Sequence, residues 1–411
     1  MRVTSLVVLA ALATAAAAEA KVTALGAPTD VSKCAACGER RPAIAGTAAH
    51  FMTAFEAGTT AEPAGVFARL TLANGKPKGA SFLATPPTQF DSERNPFLAS
   101  YAGGFLLAWD SLSPQNNYNV LARRFSIAGA PVGDSILLRT EDPTKPASER
   151  LPAVAVRADG SFIAVWATTP LAGGTSAPGD PWIEARWFSA AGAPLGNPIK
   201  LNTSLINPTA GPSVCIDSTG RAIVAFGTID LVRPFEPSKQ GVAVRRLSAA
   251  GAFQGAQLTV AAPLARKAGF ALSCGLNGSF VVAWTSDQAP ATDAGDILFA
   301  TYDKTAKRVG AVAQLASSTV GAQESPHLLH DSKGNFVATW ESESTLGRSI
   351  RARRYLANGK VDGADFLVVD KTAITTRVSR PQVAFLGTTP IFIVEWDEAG
   401  RNVFFRRYKA N

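Results

Sequence analysis

Histidine is scarce in this chain, with 3 copies in 411 residues, alongside 2 methionines and 4 cysteines. His327 and His330 stand three apart on an expected strand, so they point to opposite faces and cannot chelate together. The third, His50, falls in a turn, and no Gly-x-Ser-x-Gly elbow is present, which argues against a hydrolase triad. Cys34-Ala-Ala-Cys37 lacks both the second ligand pair of a zinc site and the histidine that follows in a haem-attachment motif. No metal and no cofactor is therefore expected. Charge is also sparse, at 18% against about a quarter in ordinary soluble domains, which implies that much of the chain is buried. Beyond residue 20 no stretch approaches the roughly 18 apolar residues that a membrane-spanning helix needs.

What is present begins with MRVTSLVVLAALATAAAAEA, one basic residue followed by an apolar run that closes on Ala18-Glu19-Ala20. This pattern predicts a secretory signal over residues 1–20, cleaved near Ala20, and a protein exported to the periplasm or the extracellular space. No cysteine sits at the cleavage point to accept a lipid. The remaining composition favours β-structure, with 35 Gly, 26 Pro and 22 Phe.

A phrase of the type LPAVAVRADGSFIAVW (151–166) recurs seven times along the chain. Its anchors are Pro42, Pro96, Pro152, Pro212, Phe270, Pro326 and Pro381, spaced 54 to 60 residues apart. Each copy continues through a polar loop to a short strand such as VLARRF (120–125) or IRARRY (350–355). A glycine turn and a last strand follow. A unit thus holds four short strands, A to D. Strands A and B are apolar on both faces, as expected of a sheet sandwiched between neighbouring sheets.

Four-stranded sheets stacked face to face around an axis form a β-propeller. The fold class predicted is all-β, a seven-bladed β-propeller of four-stranded antiparallel blades. It forms one domain over 21–411, with blades starting near 41, 95, 151, 211, 269, 325 and 380. The last copy stops after strand C at Tyr408-Lys409-Ala410-Asn411. Residues 21–30 are expected to supply its missing outer strand and so bury an otherwise open edge. The pattern Pro-x-Val-Ala…Asp-Gly-x-Phe-x-x-x-Trp…Ala-Arg-Arg-Phe resembles repeats of large bacterial secreted and surface proteins. That resemblance implies the propeller and leaves function open.

The A–B and C–D turns are tight, whereas the B–C and D–A loops are long, so the latter face is the candidate functional one. Directly after the strand-B aromatic stand Glu56, Asp110, Glu341 and Asp397, in blades that become contiguous once the ring closes. This acidic arc, with Trp182 and Phe235 in the loops opposite, forms the candidate ligand site. Each acidic blade also carries a strand-C arginine (Arg69, Arg123, Arg353, Arg406), so cross-strand ion pairing is the structural explanation of the same residues. Trp109, Trp166, Trp284, Trp340 and Trp396 recur in register and read as blade-to-blade packing. The strand-C arginines are spread around the ring rather than gathered in a stripe, which excludes nucleic acid.

Disulfide candidates are Cys34 with Cys37 and Cys215 with Cys274. The last two sit at offsets 3 and 4 from their anchors, which leaves their bridge open. RRPAIAG (40–46) and ERLPAVA (149–155) resemble the Arg-Ile-Pro segment that opens sialidase propellers. By that resemblance Arg41 or Arg150 would bind a carboxylate. The acidic boxes of sialidases have no counterpart in the C–D turns, however. The reading favoured by the sequence is a monomeric binding module for a protein or carbohydrate ligand, with no catalytic residue. A sialidase-like, glycan-processing hydrolase is the alternative on the same face.

Overall fold

The computed structural model describes residues 22–31, 38–58, 65–86, 92–113, 117–140, 146–171, 179–230, 239–265, 269–286, 295–318, 320–344, 347–371 and 377–411. The expected signal segment, Cys34, Cys37 and Phe235 lie outside these residues.

Seven antiparallel sheets make up the structure. Blade 1 runs Arg40–Gly46, His50–Ala57, Gly65–Leu72 and Pro77–Leu83, each strand beside the one before it. Blades 2 to 6 repeat that order, and the inner strands A of successive blades touch all the way round, blade 7 against blade 1 included. In blade 7, strands A to C are Val378–Phe385, Ile391–Glu398 and Asn402–Ala410. Its outer strand comes from the other end of the chain, with Val22 opposite Ala410, Ala24 opposite Tyr408 and Thr29 opposite Phe405. The predicted fold class and its N-terminal closure are what is found. Among the described residues no helix is long and apolar enough to cross a membrane.

The two-faced apolarity of the strands has a direct packing explanation. Buried apolar side chains fall into seven clusters, one at each seam between consecutive blades. Strand B of blade 2, Gly104–Leu112, feeds Phe105, Leu107 and Trp109 into the seam with blade 1. Its Leu106 and Ala108 go into the seam with blade 3. Period-two alternation therefore separates two cores rather than core from water. Trp109, Trp166, Trp340 and Trp396 are among the largest fully buried side chains, each facing the preceding blade. Truncating one to alanine would remove about 3–5 kcal/mol.

Cys215 and Cys274, in strands A of blades 4 and 5, form a disulfide with their Cα atoms 5.9 Å apart. It crosses the seam between the two inner strands, Ser213–Ile216 and Phe270–Cys274, the shortest inner strands of the ring.

Candidate functional site

Strand A opens in the same way in five blades. The residue just before the anchor proline has left-handed backbone: Arg41 (φ 52°), Asn95 (51°), Leu151 (57°), Ser325 (54°) and Arg380 (52°). The ladder to strand B slips at each of these points, from Arg40 to Ala43 in blade 1 and from Ser379 to Gln382 in blade 7. A side chain in this region costs roughly 1–2 kcal/mol, so something must offset it.

At Asn95, Leu151 and Arg380 the offset comes from the acids of the arc. Glu56 Oε1 accepts the backbone N–H of Asn95 at 2.8 Å, Asp110 Oδ2 that of Leu151 at 3.1 Å, and Glu341 Oε1 that of Arg380 at 3.0 Å. In each case the acid belongs to one blade and the amide to the next. The pre-proline side chain then turns back to the acid of its own blade. Arg41 Nη1 donates to Glu56 Oε1 at 2.9 Å, Asn95 Nδ2 to Asp110 Oδ2 at 2.7 Å, and Arg380 Nη1 to Asp397 Oδ2 at 3.1 Å. Ser379 Oγ adds a bond to Asp397 Oδ1, and Arg40 Nε one to Glu56 Oε2. Glu341 is held further by Arg348 Nη1 at 2.7 Å. Three of the four acids thus clasp one blade to the next, at the seams between blades 1 and 2, 2 and 3, and 6 and 7, while Asp397 holds Ser379 and Arg380 of its own blade.

The cross-strand ion pairs with Arg69, Arg123, Arg353 and Arg406 do not form, and this expectation is corrected by the strand register. Arg69 lies opposite Thr53, and Glu56 opposite Val66, three rungs away; the same offset separates Arg123 from Asp110, Arg353 from Glu341 and Arg406 from Asp397. Three rungs are about 10 Å. These arginines instead donate to glycine carbonyls on or beside the adjoining outer strand: Arg69 Nε to Gly79 O at 3.2 Å, Arg123 to Gly133, Arg353 to Gly363 and Arg406 to Gly26. The glycine has positive φ at each of these places.

Burial decides what the face presents. All four arc acids are buried, whereas the side chains of Arg41 and Arg380 remain 37% and 47% exposed. Burial pushes the Asp110 carboxyl above the usual carboxylate range, against the opposing pull of the Leu151 amide and Asn95. A cavity of about 510 Å³ opens at the starts of the seven inner strands, on the ring axis. The anchors Pro42, Pro96, Pro152, Pro212, Phe270, Pro326 and Pro381 all face it, together with Arg41, Asn95 and Arg380 on one side and Gly211 and Gly269 on the other.

None of the arc acids lines this funnel; they stand behind the groups that do. Arg41 reaches it, whereas Arg150 does not and lies over the Tyr118 ring, 4.4 Å from its centroid. Trp182 begins strand C of blade 3, half-buried on the same face but outside the funnel, with Lys200 Nζ 5.6 Å from its ring centroid. Asn95 and Arg380 were not singled out from the sequence. The available signal was a polar residue immediately before the anchor proline, where blades 3 and 4 carry Leu151 and Gly211. His327 and His330 do point to opposite faces: His327 Nδ1 accepts the Val383 N–H of blade 7, and His330 Nδ1 meets Ser273 Oγ of blade 5 at 2.8 Å.

Fold and site together define a seven-bladed propeller with an axial funnel on its loop face. No protein-family model matches the chain, and no curated protein matches it in sequence. A protein of unknown function from Dyadobacter fermentans DSM 18053 superposes with a TM-score of 0.53 at 10% identity, covering 95% of this chain and 100% of that one. The polysaccharide lyase Uly1 superposes with a TM-score of 0.52 at 10% identity, covering 90% of each chain. Both are likenesses of fold.

Proposed function

We propose that the protein is an exported carbohydrate-binding propeller that takes a uronic-acid-bearing saccharide end-on into the axial funnel. The observation that carries this reading is the arrangement of the arc: its carboxylates are buried, while Arg41 and Arg380, each bonded to one of them, line the cavity and keep exposed side-chain surface. Each guanidinium is held on one side by a buried acid and keeps further N–H donors for a ligand, the fork that suits a carboxylate. The surrounding ring of prolines supplies apolar walls, and Asn95 a further polar group, the usual make-up of a small-molecule site. In this reading the four acids are positioning residues, and Trp182 is a flanking contact for a longer ligand. Binding is favoured over hydrolysis because the arc carboxylates are committed to arginines and backbone amides. The Cys215–Cys274 disulfide supports work in an oxidising compartment.

The test is an array of neutral and acidic glycans probed with the wild type, Arg41→Ala/Arg380→Ala and Trp182→Ala. Uronic-acid-bearing glycans should be retained by the wild type and lost, by 10-fold or more, from the double arginine variant. Retention of neutral glycans alone, or equal binding by the arginine variant, would refute the funnel as the site.

A further inference from the structure

We infer that a second subsite, for neutral sugar units that follow the acidic one, lies in a notch running outward from the funnel between blades 4 and 5. The inference rests on the reading of the funnel given above and deepens it. A cavity of about 400 Å³ adjoins the funnel and shares Thr209, Gly211, Gly269 and Phe270 with it. Its further walls are Asn207, Ala210 and Gln240. Gln240 stands on strand C of blade 4, Lys239–Leu247, so the space extends from the innermost strands out to the third.

The notch exists because this seam is built differently from its neighbours. Where blades 1, 2, 6 and 7 carry the arc acid, blade 4 has Gly227 and blade 5 has Thr285, and blade 3 likewise has Ala167. Strand A of blade 3 starts at Ala147, five residues ahead of its anchor Pro152, and that of blade 6 at Gln323, three ahead of Pro326. In blades 4 and 5 it starts only at Ser213 and Phe270, so the upper ends of both inner strands are cut away. A Cβ at Gly227 would come within 3.1 Å of the Ala210 Cβ and 3.6 Å of the Phe270 ring. Glycine therefore lets the turn at 207–210 and the Phe270 ring lie side by side as the two walls. Below them, the Cys215–Cys274 disulfide holds the inner strands together in place of the missing clasp.

The lining suits a neutral pyranose. Phe270 gives a half-buried aromatic face, Asn207, Thr209 and Gln240 make the rest of the lining polar, with Thr209 Oγ1 donating to Asn207 Oδ1 at 2.7 Å, and no charged side chain lines the notch among the described residues. The funnel's arginines come from blades 7 and 1, across the axis from this seam. A saccharide bound with its carboxylate on Arg41 and Arg380 has its exit here. The ligand class is then an oligosaccharide that ends in an acidic unit and continues in neutral ones.

The experiment is calorimetric titration of the whole protein with glucuronic acid, with the same acid linked to one, two and three xylose units, and with xylotriose alone. The capped acids should bind at least 10-fold more tightly than glucuronic acid itself. Ala210→Trp, at a position that lines the notch and not the funnel, should abolish that gain while leaving the dissociation constant of glucuronic acid within 2-fold. Gln240→Ala should reduce the gain in part, and an unchanged melting temperature would confirm that both variants fold. Equal affinity of the wild type for glucuronic acid and its capped forms would overturn the notch and leave the funnel standing. Absence of all uronate binding by the wild type would overturn the funnel and the notch with it.

Discussion

The carboxylate of Asp110, in blade 2, accepts the backbone N–H of Leu151, in blade 3, at 3.1 Å. Leu151 has left-handed backbone at φ 57°, and the hydrogen bond ties that conformation to the neighbouring sheet. Glu56 with Asn95 and Glu341 with Arg380 repeat the relationship. The repeated acid thus ties blade to blade at these three seams, and Arg41 and Arg380 of the funnel are held by members of the same set.

Asp110→Ala should be strongly destabilising, by about 3 kcal/mol, since it strands a backbone amide and the Asn95 side chain. Asp110→Asn, which mimics the protonated form that burial favours, should be milder, at about 1 kcal/mol. Chemical denaturation with both variants checks this. An unchanged midpoint for the alanine variant would refute the clasp.

Reduction of Cys215–Cys274 tests the seam between blades 4 and 5, where neither blade carries a clasping acid. The bridge spans 59 residues, and closing a loop of that length is worth about 4 kcal/mol in the chain-entropy account. Cys215→Ala/Cys274→Ala should lower the melting temperature by several degrees. It should also speed amide exchange in 213–216 and 270–274 more than in the inner strands of blades 1 and 2. Uniform exchange rates across the ring would count against a local role.

Glu395 gives the closing seam a dependence on alkaline pH. Its side chain is fully buried between blades 7 and 1, where Thr53 Oγ1 donates to Oε2 at 3.2 Å, and Oε1 has no partner among the described residues. Burial raises its pKa well above the usual value, so the folded state holds a proton that the unfolded chain releases. Its contribution to stability is complete below the unfolded value and is lost as pH rises toward the folded one. Glu395→Gln should therefore stabilise the protein, by a margin that widens from pH 5 to pH 9. A margin that does not change with pH would contradict a buried, titrating carboxyl.

On the acid side the sign reverses. Burial lowers His327 and His330 to about 4 from the ordinary 6.5. The neutral His327 ring accepts the Val383 amide through Nδ1, a bond its protonated form cannot make. The folded state binds fewer protons here, so stability is full above pH 6.5 and declines as pH falls toward 4. His327→Gln/His330→Gln should flatten the melting profile between pH 6.5 and 4. An equally steep decline in the double variant would assign acid lability to other groups.

Much of the fold was legible in the sequence because a propeller is written in local terms. Apolar runs such as AVAV and FIAVW show that each sheet needs cover on both faces, and the spacing of Pro42, Pro96, Pro152 and their successors counts the sheets. The missing strand D after Tyr408 pointed to the chain's other end, since a lone edge seeks a partner wherever it lies. The candidate site was legible only in part. Glu56, Asp110, Glu341 and Asp397 announced themselves by recurrence, yet their partners depended on strand register. A slipped rung before Pro96, Pro152 and Pro381 brings the backbone amide there, not a strand-C arginine, to the preceding blade's carboxylate.

The sequence by itself determined the number of blades, their sandwiched packing and the closure of the ring, since hydrophobic periodicity and turn chemistry act over a few residues at a time. Only the tertiary structure decided which charges face water. Whether an acid is buried behind an arginine or exposed beside it depends on backbone conformation at Arg41, Asn95, Leu151 and Arg380 and on residues some forty positions away. That geometry arises where two blades meet, and it turned an apparent acidic arc into a face that presents arginines.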